Sequence, residues 1–124
     1  MNPLRLGTDL VYIPRIERLI SQYGDRFLNK IFTSEEIEYA LKRVRHAFHL
    51  ASAFSVKEAF FKAVGGYSPF SWKEVVLKRE PSSGAPFLEL RGKALEIFKA
   101  LSGNKIVVSL SHERDYVIGI VLIY

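Results

Sequence analysis

The segment between Phe54 and Ala63 places a carboxylate among lysines in an otherwise apolar stretch. At about 100° per residue, an α-helix brings Ser55, Glu58 and Lys62 into an arc of about 60°, so these side chains share one face. A glutamate one turn before a lysine is also the pattern of an ordinary helix-stabilising ion pair. Charged groups in a largely apolar helix pair with each other, bind an ion or line a cleft. The segment alone leaves a structural ion pair and a functional site equally open.

Asp9 is the second unusual residue, because it lies within the apolar stretch 4–13, which predicts a β-strand. Aspartate is uncommon in strands, and burying an unpaired carboxylate is costly. Two interpretations are open: an edge-strand side chain that faces water, or a ligand of a metal ion.

Histidines form the third set of candidates. Ser111 and His112 follow a predicted strand, and an extended backbone would project Ser109 and Ser111 to one side and His112 to the other. His112 could be a structural histidine at a strand end or a functional residue. His46 and His49 could form a metal pair, but we interpret them as helix-surface residues.

The elements that position these side chains follow from apolar periodicity and from turn residues. Thr33 with Glu36 three residues later is a capping box that begins a helix. In order, the sequence predicts a strand at 4–13, helices at 14–23, 33–45 and 47–64 with a short helical piece at 26–32, strands at 72–79 and 86–90, a helix at 92–101 ended by Gly103, and strands at 105–110 and 116–123. The predicted fold is α+β, a mainly antiparallel sheet packed by helices in the order β-α-α-α-β-β-α-β-β.

Length and composition predict one domain over residues 1–124, with no repeat or linker. The chain has no cysteine, which excludes disulfides and thiolate zinc sites and suits a reducing compartment. It begins without the apolar core of a secretory signal, and its longest apolar run, 116–124, is too short to cross a membrane as a helix. We therefore expect a cytoplasmic protein without a membrane partner.

The net charge of +5 favours an acidic partner: nucleic acid, a phosphorylated ligand or an acidic protein.

Six groups of residues, in this order and spacing, resemble the 4′-phosphopantetheinyl transferases, in particular their small holo-acyl-carrier-protein synthase type. The matching groups are Gly7-Thr-Asp9-Leu-Val11, Arg15-Ile16, Phe32-Thr33-Ser-Glu-Glu36, Lys57-Glu58-Ala59 with Lys62-Ala63, Gly84-Ala-Pro86 and Ser109-Leu-Ser111-His112. They cover nearly the whole chain. Two positions depart from the family pattern: Ala53 replaces a basic residue, and Gly65-Gly66-Tyr67 replaces the usual Gly-Thr-Gly.

The resemblance implies a reaction of fatty acid biosynthesis. The 4′-phosphopantetheine group of coenzyme A would be transferred to a serine of apo-acyl carrier protein, leaving adenosine 3′,5′-bisphosphate. Asp9, Glu58 and Lys62 would be catalytic, with Mg²⁺ held by Asp9 and Glu58 and the pyrophosphate held by Lys62. Glu58 is also a candidate for accepting the serine proton, although metal binding is the favoured role.

Binding residues and assembly are implied by the same resemblance. The coenzyme A contacts would be Lys57, Lys62, Gly65, Pro86, Ser111 and His112. Lys57 points about 100° away from Glu58 around the helix, so a packing or interface charge is the alternative for it. The acidic carrier protein would dock on Arg15, Leu19, Arg26, Phe27 and Lys30. The small branch is typically a homotrimer with each site at a subunit boundary.

Two other classes of function fit parts of the sequence. A Mg²⁺-dependent nuclease also needs separated acidic residues, a lysine and positive charge, but it would carry a carboxylate-x-lysine pair on a strand, whereas Glu58 lies on a predicted helix. A non-catalytic basic module would leave Asp9 and Glu58 unexplained, and we find no RNA-binding aromatic signature. No nucleic acid partner is therefore expected.

Overall fold

The computed structural model describes residues 4–66, 70–101 and 104–124. Its elements are β1 (Arg5–Tyr12), α1 (Ile13–Tyr23), α2 (Asp25–Ile31), α3 (Ser34–Leu41), α4 (His46–Ala63), a 3₁₀ turn (Trp72–Glu74), β2 (Val75–Arg79), β3 (Pro86–Leu90), α5 (Gly92–Ala100), β4 (Ile106–Glu113) and β5 (Tyr116–Ile123). The α+β class and the predicted order are confirmed. The short helical piece expected near 26–32 is the separate helix α2, so four helices lie between β1 and β2.

The strands form two antiparallel sheets. A three-stranded sheet has the order β1-β5-β4, and β2 and β3 form a separate hairpin. Asp9 of β1 pairs with Gly119 of β5, and Gly119 pairs on its other side with Leu110 of β4. The first and last strands of the chain are therefore neighbours, and Asp9 lies level with the middle of β5.

Helix α4 packs on the inner face of the three-stranded sheet and forms the centre of the core. Val56 and Phe60 of α4 are fully buried, as are Val11 and Val121 of the sheet. The helix also contacts α1, α3 and β2, which cover its remaining sides. Burial on nearly every side explains why the sequence of α4 is apolar around most of its circumference.

The opposite face of the three-stranded sheet exposes apolar side chains. Leu6 is 63% exposed, Leu10 62% and Ile120 36%. We call this surface the outer sheet face; its large apolar members are Leu4, Leu6, Leu10, Tyr12, Val107, Tyr116 and Ile120. Among the described residues, no helix is both long and apolar enough to cross a membrane.

Three predicted boundaries are wrong. Helix α3 ends at Leu41 rather than near 45, and Val44 is 98% exposed, so no core contact supports a further turn. Residues 72–74 form a 3₁₀ turn instead of the start of a strand. Strand β4 continues to Glu113, because only Arg114 and Asp115 separate it from β5. Gly103, the predicted end of α5, and Tyr67 lie outside the described residues.

Candidate active site

Two glycines bring helix α4 into main-chain contact with the sheet. A Cβ atom added to Gly7 would lie 1.8 Å from the carbonyl oxygen of Ala59, and one added to Gly119 would lie 2.5 Å from Oγ of Ser55. Only glycine permits this approach at either position. Since Gly119 is the cross-strand partner of Asp9, the contact places the Asp9 strand directly against the helix.

Asp9 forms an ion pair with the helix across this contact. Nζ of Lys62 lies 3.0 Å from Oδ1 of Asp9 and also donates to the carbonyl oxygen of Thr8 at 3.0 Å. The Asp9 side chain is only 17% exposed, whereas that of Lys62 is 54% exposed. Asp9 therefore points toward α4. Of the two interpretations left open by the sequence, the edge-strand side chain that faces water is wrong.

Glu58 lies between two helix residues that contact the sheet. Ser55 touches Gly119 one turn before it, and Lys62 binds Asp9 one turn after it. Its half-buried carboxylate accepts a hydrogen bond through Oε1 from the indole Nε1 of Trp72 at 3.2 Å. Glu58 and Lys62 therefore share one face of α4, as the helical spacing predicted, and Lys62 contacts Asp9 of β1.

The donor set suits a hard cation with an incomplete protein shell. In the described parts of the chain, the recorded hydrogen bonds engage Oδ1 of Asp9 and Oε1 of Glu58, which leaves the second oxygen of each carboxylate for a ligand. No group of three or more acidic or histidine side chains that could hold a metal is found there. Mg²⁺ fits such a pair, because it commonly takes one or two carboxylates and completes its shell with water and substrate phosphates.

Lys57 has a structural role, which corrects the expectation that it contacts coenzyme A. Its side chain is fully buried, and its ammonium group lies 2.8 Å from Oε1 of Glu36. It also donates to the carbonyl oxygens of Trp72 at 2.9 Å and Val75 at 2.6 Å. Burial lowers the pKa of Lys57, and the adjacent Glu36 carboxylate opposes that shift. The alternative of a packing charge describes this lysine correctly.

Glu36 joins the start of α3 to the β2 strand. It completes the predicted capping box, since its Oε1 accepts from the backbone N–H of Thr33 at 3.0 Å. Its Oε2 accepts from the backbone N–H of Leu77 at 2.8 Å. The sequence identified the cap but not the ion pair with Lys57. The available signal was Lys57 itself, because a lysine in a largely apolar helix requires a buried partner.

A cavity of about 350 Å³ lies between α3, α4 and the β2–β3 hairpin. Its basic side chains are Arg43, His49, Lys78 and Arg79, and Ala53 and Gly84 also line it. Burial lowers the pKa of His49, and the nearby charges of Arg43 and Arg79 lower it further. His49 is thus a half-buried lining residue, and its interpretation as a helix-surface residue is wrong.

Sequence reasoning missed Arg43 and Arg79 as cavity residues. Arg43 stacks on the Tyr39 ring, with its Cζ 3.3 Å from the ring centroid, and Arg79 comes from the end of β2. These residues belong to two elements, and no local spacing relates them. The only signal in the sequence was Ala53, which replaces the basic residue of the family pattern. That replacement indicated that other residues supply the positive charge.

The other predicted coenzyme A contacts are distributed around this core. Pro86 begins β3, and Gly65 follows α4 with a φ of 111°, a conformation that favours glycine. His112 packs edge-on against Phe48 at 4.8 Å between ring centroids, while Ser111 lies on the other face of β4. No hydrogen bond among the described residues links these four positions to Asp9 or Glu58.

A groove of about 230 Å³ on α1 and α2 contains four of the five residues predicted to bind the carrier protein. It is lined by Leu19, Tyr23, Arg26, Phe27 and Lys30. Tyr23 is the member that sequence reasoning did not select, although it lies one helical turn after Leu19. Arg15 is exposed on α1, four residues before Leu19.

Comparisons with known proteins agree with this geometry. Residues 5–121 match the family model described as the 4′-phosphopantetheinyl transferase superfamily. The holo-[acyl-carrier-protein] synthase of Koribacter versatilis is 34% identical, covering 97% of each chain, and that of Gloeobacter violaceus is 38% identical, covering 94% of this chain and 89% of the relative. A crystal structure of the Neisseria meningitidis synthase superposes with a TM-score of 0.87 at 30% identity, covering 97% of each chain. The Helicobacter pylori synthase in complex with coenzyme A gives 0.83 at 25% identity, covering 96% of this chain and 99% of the other.

Proposed function

The chain belongs to the 4′-phosphopantetheinyl transferase superfamily, and we propose that it is a holo-acyl-carrier-protein synthase. It transfers 4′-phosphopantetheine from coenzyme A to a serine of apo-acyl carrier protein and releases adenosine 3′,5′-bisphosphate. The observation that carries this function is the ion pair between Asp9 and Lys62 beside Glu58, in a chain matched over nearly its whole length by such synthases. No observation favours the nuclease or the basic binding module.

Asp9 and Glu58 are the residues that would hold Mg²⁺. Asp9 lies on β1 and Glu58 on α4, and each has one carboxylate oxygen without a hydrogen bond among the described residues. Mg²⁺ would neutralise negative charge that develops on the leaving phosphate. We assign Glu58 to metal binding ahead of proton transfer, because one carboxylate can hardly serve as a tight ligand and an efficient base together.

Lys62 would bind the diphosphate of coenzyme A. Its side chain is half exposed, and its three donors reach beyond its two present partners, Asp9 and Thr8. An ammonium group next to the metal-binding carboxylates attracts phosphate and stabilises negative charge on the leaving group. This residue therefore links the carboxylate pair to the substrate.

The cavity between α3, α4 and the hairpin would accommodate part of the coenzyme A molecule. The guanidinium groups of Arg43 and Arg79 supply positive charge that Ala53 does not. Gly65, Pro86, Ser111 and His112 remain predicted contacts, with His112 suited to a phosphate because an imidazole can donate to it. None of them is hydrogen-bonded to Asp9 among the described residues, and in the expected homotrimer a second subunit would complete the site.

The groove on α1 and α2 would receive the acyl carrier protein. Arg26 and Lys30 at its edge can pair with acidic side chains, and Arg15 extends the positive surface along α1. Leu19 and Phe27 provide an apolar centre. Such an arrangement of charge around apolar contacts gives specificity and speeds association with an acidic partner.

The outer sheet face supports the expected homotrimer. Leu6 and Leu10 are each more than half exposed, and neighbouring Ile120 and Tyr116 extend the apolar surface across two strands. Contiguous apolar surface of this kind commonly marks an interface. We place the proposed enzyme in the cytoplasm, because a chain without cysteine suits a reducing compartment.

Mass spectrometry of a carrier protein tests this function. Purified enzyme with Mg²⁺, coenzyme A and apo-acyl carrier protein should add about 340 Da to the carrier, the mass of the phosphopantetheine group. Omitting either Mg²⁺ or coenzyme A is the control and should leave the mass unchanged. Unmodified carrier across several carrier proteins would contradict the proposal. Cleavage of nucleic acid under the same conditions would favour the nuclease instead.

A further inference from the structure

We propose that Trp72 is a positioning residue for Glu58, a role that rests on the proposed function. The indole Nε1 of Trp72 lies 3.2 Å from Oε1 of Glu58. The two residues come from different elements, since Glu58 lies on α4 and Trp72 begins the 3₁₀ turn that precedes β2. This hydrogen bond fixes the direction in which the Glu58 carboxylate points.

Trp72 is itself held at both ends by adjacent residues of α4. Its carbonyl oxygen accepts from Nζ of Lys57 at 2.9 Å, and its indole donates to Glu58. Lys57 is in turn fixed by the buried Glu36 carboxylate at 2.8 Å. The buried ion pair therefore supports the main chain of Trp72, and the Trp72 side chain supports the active-site carboxylate.

An indole N–H is well suited to this task. It is a donor without a formal charge, so it can orient a carboxylate without neutralising it. The negative charge of Glu58 thus stays available for a cation at Oε2, the oxygen without a recorded hydrogen bond in the described structure. Hydrogen-bond partners of metal-binding side chains are typically worth about 10-fold to 100-fold in metal affinity or activity.

A purely structural role is the alternative for Trp72. Its ring packs against the buried cluster that includes Phe32, Ile31 and Leu50, so the side chain also contributes to the core. Loss of stability in a Trp72 variant would not distinguish the two roles. The decisive experiments therefore measure the hydrogen bond and the catalytic constants separately.

The hydrogen bond can be observed directly, because Trp72 is the only tryptophan of the chain. A ¹H–¹⁵N correlation spectrum of the full chain should contain one indole signal. Glu58→Ala should move its proton resonance upfield, because a hydrogen bond to a charged acceptor deshields the donor proton. Glu38→Ala, which removes an exposed carboxylate on α3, is the matched control and should leave the signal in place. An indole signal unmoved by Glu58→Ala would overturn the proposal, whether or not the chain proves to be a synthase. Should Glu58→Ala fail to fold, Glu58→Gln serves with a smaller expected shift in the same direction.

Kinetics of Trp72→Phe test the consequence for the reaction. Phenylalanine keeps an aromatic ring but removes the N–H donor together with part of the volume of the indole. We expect kcat to fall about 10-fold and the Mg²⁺ concentration for half-maximal rate to rise, while KM for coenzyme A and for the carrier changes less than about twofold. Unchanged kcat and Mg²⁺ dependence in folded Trp72→Phe would refute the positioning role. An inactive wild-type chain would instead contradict the proposed function.

Discussion

The carboxylate of Glu36 and the ammonium group of Lys57 lie 2.8 Å apart with both side chains buried. The pair connects α3 to α4, and its remaining hydrogen bonds reach the 3₁₀ turn and β2. Three elements around α4 therefore depend on one ion pair. Its members also make the hydrogen bonds that a buried charge requires, which is why the pair is tolerated in the core.

Lys57→Met should destabilise the fold by about 3–5 kcal/mol, because it leaves the Glu36 carboxylate buried without its counter-charge. Urea unfolding followed by circular dichroism measures the loss. Lys42→Met is the matched control, since the ion pair of Lys42 with Glu38 is exposed and should contribute less than about 1 kcal/mol. Equal losses in the two variants would show that the buried pair does not support the core.

Gly7→Ala should be strongly destabilising, because the new methyl group would lie 1.8 Å from a main-chain oxygen of α4. Main chain cannot move aside as a side-chain end can, so we expect a loss of about 3 kcal/mol, the upper end of the usual cost of overpacking. Gly24→Ala is the control: its φ of 54° strains an alanine by about 1–2 kcal/mol, but no atom lies within 4 Å of the added group. Thermal unfolding of both variants makes the comparison, and a smaller loss for Gly7→Ala would contradict the close packing of β1 and α4.

Glu58→Gln should lower kcat by about 100-fold or more, because the neutral amide cannot bind a cation as a carboxylate does. Circular dichroism and the melting temperature should stay close to those of the unmodified chain, since Glu58 is only half buried. Glu38→Gln provides the control for removing a helix carboxylate. Full activity of Glu58→Gln would remove this residue from the site.

Arg15→Glu should raise KM for the carrier protein about tenfold while KM for coenzyme A stays nearly constant, because only the carrier-docking surface changes. Raising the ionic strength should reduce the difference between variant and wild type. Lys93→Glu on α5 changes the net charge equally, away from the groove, and should leave both constants unaltered. Equal effects on the two substrates would argue against docking at α1.

The lowered pKa of His49 predicts a pH dependence of stability. Unfolded His49 takes up a proton near its ordinary pKa of 6.5, whereas folded His49 does so only at lower pH, because burial and the nearby arginines disfavour its charged form. The unfolded state therefore binds more protons in this window, and the free energy of unfolding should fall as pH drops below about 6.5. Urea unfolding at several pH values should show a shallower slope for His49→Gln.

Periodicity was sufficient to predict that Glu58 and Lys62 share one face of α4, because the two residues are related by one helical turn. The sequence also provided a reason to expect a cation next to Asp9, because an aspartate in a buried strand needs one. Lys62 is that cation in the structure. The hydrogen bond from Trp72 was not predictable, because it depends on a 3₁₀ turn where the apolar pattern indicates a strand. The full length of β4 was missed because Ser111, His112 and Glu113 have the composition of a loop. They form strand because both ends of the hairpin meet at a two-residue turn.

Strand β1 presents Gly7 and Asp9 to α4 and the neighbouring Leu6 and Leu10 to the outer sheet face. A slip of one residue in its alignment with β5 would exchange these sets, turning the carboxylate outward and forcing leucines into a space that accepts only hydrogen. The two strands lie far apart in sequence, so their pairing closes a long loop and is expected late in folding. A misaligned molecule would lose the contact between Asp9 and Lys62 and the apolar outer sheet face in a single event.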